Sequence, residues 1–222
     1  MNFHIVTIFP RILDSYLNES ILKRAQEAEV IKIETHDLRQ WTDNKRRTVD
    51  DTPYGGGAGM VMKIEPLYKA LQSLKHKNIK ALKQKVILLS AKGKTWNQEM
   101  AKKYSKLDEI IFVCGRYEGV DERVKNFIDE EISIGDFVLT GGELGAAIII
   151  DSITRLLPGA LGNVESAIDE SHSTLGQLEY PQYTRPEIFE TADKKYPVPK
   201  ILLSGDHKKI ADWREKKMKR KK

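Results

Sequence analysis

Two adjacent carboxylates, Asp169 and Glu170, sit directly before Ser171 and His172 in this 222-residue chain. A carboxylate held beside a reacting nitrogen can take its proton as general base. Acids in a loop are more often simply solvated, and residue type alone leaves both readings open. Glycine-bearing stretches offer the other half of a site. Arg46–Met60 reads RRTVDDTPYGGGAGM. Its Gly55, Gly56, Gly57 and Gly59 let the backbone approach a ligand and take positive φ, with Arg46 and Asp50 close by. A flexible surface loop is the plainer reading of the same run. CGRYEGVDERV (114–124) follows an apolar run, and SIGDFVLTGGELGAAIIIDSITRLLPG (133–159) carries two turns, Ile134-Gly135 and Gly141-Gly142. With LLS at 88–90, these turns suggest a slot lined by main-chain N–H and C=O groups, suited to a flat heterocycle. Two tight turns packing a sheet would look alike. In LLSGDHKKIADWR (202–214), Trp213 among Lys and Arg suits phosphate contact with stacking, or a capped helix using Trp213 as core.

Several chemistries find no support. LLSAKGKT (88–95) resembles the end of a phosphate-binding loop, but Leu88 stands where that pattern needs Gly. From Gly55 the sixth position is Met60, so the glycine run is not GxGxxG either. The five histidines show no HExxH and no Cys/His ligand spacing, which gives no support for a metal site. The single cysteine, Cys114, excludes an intrachain disulfide and suits a reducing cytoplasm. Within IIFVCG it reads as core rather than nucleophile. No apolar run reaches the length of a membrane span, and MNFHIVTIFP reads as a first strand rather than a secretory signal.

These groups need a scaffold. FHIVTIF (3–9), VIKIETHDL (30–38), VILLS (86–90), EIIFVCG (109–115), EISI (131–134) and FVL (137–139) read as strands. Residues 11–28 read as helical, with Ser20 as a cap for ILKRAQEA; so do 64–77, 97–104, 121–128, 207–219 and 143–156, the last with an apolar face of Leu144, Ile148 and Leu156. Strands alternating with helices predict an α/β domain with a mostly parallel sheet. Residues 1–160 are expected to form it, 161–185 a linker or active-site loop, and 186–222 a small, mainly helical domain. The net charge of +5 is segregated: −1 over 1–62, +10 over 63–106, −11 over 107–207 and +7 over 208–222. Such asymmetry predicts an anionic partner.

Taken in order, FHIVTIFP, DDTPYGGGAGM, LLS, CGRYEGVDERV, SIGDFVLTGGE, DSITRLLPG, YPQYTRPE and LLSGDH…WR resemble the bacterial tRNA (guanine-N1)-methyltransferases, of the SPOUT class. The resemblance covers nearly the whole chain. It implies a deep trefoil-knotted α/β domain, an exception to the rule against threaded connections. It also implies a homodimer, S-adenosylmethionine as cofactor, and guanine at tRNA position 37 as substrate, with the tRNA base meeting the opposite subunit's loops. By similarity the cofactor is held by Leu88, Leu89, Ser90, Gly115, Tyr117, Glu118, Gly119, Ile134, Gly135, Asp136, Phe137, Val138, Leu139, Gly141 and Gly142. The tRNA falls to Arg46, Asp50, Gly55, Gly56, Gly57, Gly59, Ser171, His207, Trp213 and Arg214. Arg155 matches the family's arginine at guanine O6. The family's general base is an aspartate immediately before Ser. Here Glu170 holds that position and Asp169 precedes it, so both remain candidates, with Asp169 favoured for its shorter arm. Ala91 and Gly145 stand where proline is expected and should loosen the cofactor slot. Longer relatives continue with more helix after Trp213. Two other readings stay open: a non-catalytic RNA binder on this fold, or a methyltransferase with another RNA target.

Overall fold

Five strand-length segments build the central sheet, and their side chains alternate between two buried faces. The computed structural model describes residues 1–75, 83–161, 171–172 and 177–220. It divides into two compact units, Met1–Val164 and Glu165–Lys222.

In the first unit the chain runs β1 (Asn2–Thr7), α1 (Asp14–Leu17), α2 (Ser20–Glu27) and β2 (Lys32–Asp37), then a 3₁₀ turn at Leu38–Trp41. A short hairpin follows, β3 (Asp50–Asp51) and β4 (Val61–Met62), then α3 (Ile64–Leu74), β5 (Gln84–Thr95), α4 (Gln98–Tyr104) and β6 (Glu109–Cys114). A second 3₁₀ segment at Glu122–Phe127 leads into β7 (Glu130–Ser133) and α5 (Glu143–Thr154). The sheet order is β2-β1-β6-β5-β7, with every pairing parallel. Parallel sheets are covered on both sides, which is why these strands read as continuous apolar runs. In β6, Ile110 and Phe112 pack with α2, α4 and α5, while Ile111 and Val113 pack with α3 on the other side.

The structure departs from the sequence expectations at particular places. The helix expected over 11–28 is two helices, and Ser20 is not a cap: it is the first residue of α2, at φ 50°, with Glu19 before it. The strand expected at 86–90 is twelve residues long, and its pairing with β7 shifts register between Leu89 and Lys94. The lysine-bearing run resembling a phosphate loop is therefore strand. The strand expected at 137–139 is absent. Phe137, Val138 and Leu139 are exposed and pair with no strand of the sheet. In α5 the expected apolar face is inverted: Leu144 and Ile148 point outward, while Ala146, Ile149, Ile150 and Ile153 are buried. A helix apolar almost all round gives periodicity no purchase.

In the second unit β8 (Gln177–Leu178) pairs antiparallel with β11 (Lys219–Arg220), and β9 (Ile188–Glu190) with β10 (Lys195–Pro197). A 3₁₀ turn at Lys200–Leu203 precedes α6 (His207–Lys217), whose first turn is capped by Asp206 accepting from Lys209 N at 3.1 Å. The described part of this unit thus carries a hairpin that the sequence reading did not contain.

Ile150 is fully buried against the sheet. Ile150→Ala should lower unfolding free energy by about 2–5 kcal/mol, read as a shifted urea midpoint with unchanged slope.

Candidate active site

A cleft of about 270 Å³ opens beyond the carboxyl ends of β6 and β7 and against Leu88–Lys92 in the middle of β5, near where open parallel sheets take their ligands. The expected cofactor residues converge on it: Leu88, Leu89, Ser90, Gly115, Tyr117, Glu118, Gly119, Ile134, Phe137, Val138, Leu139, Gly141 and Gly142 all line it. Gly135 and Asp136 do not. Asp136 is exposed, and Gly135 shapes the turn instead, at φ 151° with its N–H donating to Ser133 Oγ at 3.2 Å. The unpaired Phe137-Val138-Leu139 segment thus serves as an apolar cleft wall rather than a strand.

Glycine at 142 is a packing requirement. A Cβ there would lie 2.9 Å from both Cys114 Cα and Leu89 Cβ. Gly142 N–H donates to Gly115 O at 3.0 Å, tying the two loops together. Gly145 shows a milder version, with a Cβ falling 3.0 Å from Leu89 Cδ1.

Arg116 and Glu143 brace the cleft from behind. Glu143 is only 1% exposed. Arg116 reaches it with two nitrogens, Nη2 at 2.9 Å from Oε2 and Nε at 3.1 Å from Oε1. Thr7 Oγ1 donates to Oε1 at 2.6 Å, and Arg116 Nη1 donates to Thr140 O at 3.1 Å. One buried ion pair therefore joins the end of β1, the loop after β6 and the start of α5. Sequence reading quoted both residues inside motifs and assigned neither a role. A charge pair 27 residues apart has no linear signature.

Two further groups set the electrostatics. Burial opposes ionisation of Glu131, but hydrogen bonds from Ser90 and Lys125 prevail and hold its carboxyl below the usual range. Glu131 lines the cleft and was not anticipated. Burial, with Glu143 adding to it, pushes the Cys114 thiol well above its ordinary value. Cys114 is fully buried, as its apolar context predicts.

The glycine-rich hairpin docks beside the cleft. Glu118 N–H donates to Met60 O at 3.0 Å, Met62 N–H to Gly119 O at 3.0 Å and Asp121 N–H to Met62 O at 2.9 Å. Asp50 lies close enough to Tyr117 to help burial raise the phenol's pKa. Tyr117 itself sits at φ 60°, strained backbone at the cleft mouth. Arg46 and Gly55 to Gly59 are exposed, and Gly55, Gly56 and Gly57 have positive φ with open space around them.

Arg155 is not at this cleft. It caps the far end of α5, so it stands about 20 Å along the helix axis from Gly142 at 1.5 Å per residue. Asp169 and Glu170 lie outside the described residues. Ser171 Oγ accepts from Glu179 N at 3.0 Å. In α6, Trp213 is half-buried beside Tyr183, Arg214 stacks over Tyr180 at 4.9 Å, and His207 is exposed. Trp213 is therefore partly committed to packing.

A cleft at the strand ends of a parallel α/β sheet is where proteins of this class take small ligands. The family model described as tRNA (Guanine-1)-methyltransferase TrmD matches residues 1–222, and the chain belongs to this family. It is 52% identical over 217 residues to a tRNA (guanine-N(1)-)-methyltransferase of Clostridium novyi (strain NT), covering 98% of this chain and 86% of the relative. A protein of the same name from Citrifermentans bemidjiense is 50% identical over 221 residues, covering 99% and 86%. One from Clostridium perfringens (strain SM101 / Type A) is 53% identical over 216 residues, covering 97% and 87%.

Arg116→Ala would leave the Glu143 carboxylate buried without its ion pair, and should cost about 3–5 kcal/mol in urea unfolding. Cys114 in the folded protein should resist iodoacetamide at pH 8, and react once urea exposes it.

Proposed function

We propose that the chain transfers a methyl group from S-adenosylmethionine to N1 of guanine 37 in tRNA, as a cytoplasmic homodimer. The observation that carries this reading is the cleft itself: a slot whose glycine wall admits no Cβ at 142, found in a member of this family. S-adenosylmethionine would supply an activated methyl on a cationic sulfonium. The main chain around Gly115, Gly141 and Gly142 would hold its base, the apolar 137–139 wall would shield it from water, and the Glu131 carboxylate, held below its usual range, would favour its charge.

Guanine N1 carries a proton and is a poor nucleophile. Asp169 or Glu170 would accept that proton as the N1–CH₃ bond forms. Negative charge developing at O6 would be met by the Arg155 guanidinium. Because Arg155 stands a helix length from its own chain's cleft, it must serve the cleft of a second copy. Outward-facing Leu144 and Ile148 on α5 support such a pairing, and Tyr16, bonded to Asp151 at 2.7 Å, extends that surface. The expected trefoil knot belongs to the same proposal; family membership supports it, with β7 lying beyond β5 in the sheet. Among the described residues no helix is long and apolar enough to cross a membrane. The +7 block at 208–222 would meet the tRNA backbone, and such binding weakens with salt.

Incubation with labelled S-adenosylmethionine and tRNA bearing guanine at 36 and 37 should yield labelled 1-methylguanine at 37. Binding without transfer would leave a non-catalytic RNA binder, and label elsewhere a different target. Arg155→Ala should lower single-turnover rate by roughly 10²–10³-fold. Mixed with an Ala91→Trp variant, whose ring at an exposed cleft-lining position would fill the cleft, it should regain activity through heterodimers; no recovery between two folded variants would refute the shared site. Asp169→Ala and Glu170→Ala separate the two carboxylates: whichever leaves the rate intact is not the base. Deleting residues 216–222 should weaken tRNA binding and spare cofactor binding.

A further inference from the structure

The sheet brings together a group that linear spacing conceals. His4 in β1 pairs directly with Glu34 in β2, and His36 lies two residues further along the same strand. Side chains two apart share a face, so all three point to the side packed against α3. His4 Nδ1 faces His36 Nε2 at 2.9 Å. Glu34 Oε2 lies 3.4 Å from that Nδ1 and 3.9 Å from that Nε2.

These three atoms form a triangle whose circumradius is about 2.0 Å, the bond length of zinc to imidazole nitrogen and carboxylate oxygen. A single ion just above the plane would lie about 2.1 Å from all three, in place of the proton of the His4–His36 hydrogen bond. The mean side matches the ligand–ligand spacing of a tetrahedral site, and Glu34, 35% exposed beside the 19% exposed His36, gives a fourth position toward water. Behind His4, the buried Glu109 places Oε2 3.5 Å from Nε2. A carboxylate close to the far nitrogen favours the tautomer that leaves Nδ1 as ligand, the arrangement seen behind metal-bound histidines. Lys32 bonds the other oxygen of Glu34, Oε1, leaving Oε2 turned to the histidines.

We propose that His4, Glu34 and His36 form a zinc-class metal site that clips the edge strand β2 to β1, with Glu109 orienting His4. Two imidazoles and one carboxylate favour Zn²⁺ over Mg²⁺ or Ca²⁺, which take oxygen ligands. None of the three residues lines the cleft at the strand ends, so the site is separate from methyl transfer. An ion bound only by the folded chain raises stability by mass action.

The test uses the full chain, stripped with chelator and titrated with Zn²⁺. One equivalent should bind per chain and the Tm should rise, while Mg²⁺ at equal concentration leaves it unchanged. His36→Gln and Glu34→Gln should each remove the saturable step and the Tm increment, and Glu109→Gln should weaken binding by roughly 10–100-fold. His207→Gln, on an exposed histidine of the second unit, should retain both. Should a variant fold poorly, Co²⁺ added to the unaltered protein decides: strong tetrahedral d–d bands displaced by Zn²⁺ support the site, and the weak spectrum of hydrated Co²⁺ overturns it. Absence of saturable Zn²⁺ binding, or binding that survives both His36→Gln and Glu34→Gln, shows a hydrogen-bonded His–His–Glu network only.

Discussion

The Arg116–Glu143 ion pair is the constraint on which the cleft depends. Taking two charges out of water is costly, and geometry must recover that cost. Here it does so through two Arg116 nitrogens and the Thr7 hydroxyl on one carboxylate. The three partners come from the end of β1, the loop after β6 and the first turn of α5. None of these segments can move without leaving a buried charge unpaired. The glycine contacts at 115 and 142 are held in register by this pair, and the apolar 137–139 wall hangs between them. Phe9 adds its ring face 4.8 Å from the Arg116 guanidinium, which shields the pair from the solvent side.

The parallel sheet was legible because burial on both faces leaves uninterrupted apolar runs, as in Val86–Leu89 and Ile110–Cys114. The glycine turns were legible because the types themselves are restrictive. Other features depend on partners distant in sequence. The inward face of α5 could not be read from a helix in which nearly every side chain is apolar. Val138 is 87% exposed although its neighbours spell a strand, since β-propensity mostly reports packing against partners that this segment does not have in the sheet. Arg116 with Glu143, and His4 with Glu34 and His36, are tertiary coincidences. Only strand order and register create them.

Charge segregation acquires a finer grain in the structure. Within the basic stretch, β5 runs from core to surface: Val86 to Leu89 are buried, while Lys92, inside the register shift, and Thr95, beyond it, are exposed. Lys85 is spent on Glu130 at 2.6 Å. The acidic stretch is likewise internal in part, since Glu109 and Glu143 are buried and paired. Net charge by block therefore overstates what reaches a partner.

Helix α5 has one end built into the cleft and its other end at Arg155. On the role proposed for Arg155, it would be a spacer as much as a packing element: one inserted residue would advance Arg155 by about 1.5 Å and swing it by about 100°. Sequence divergence in such a segment should accumulate as exchanges of one apolar side chain for another, with insertions and deletions confined to the loops on either side.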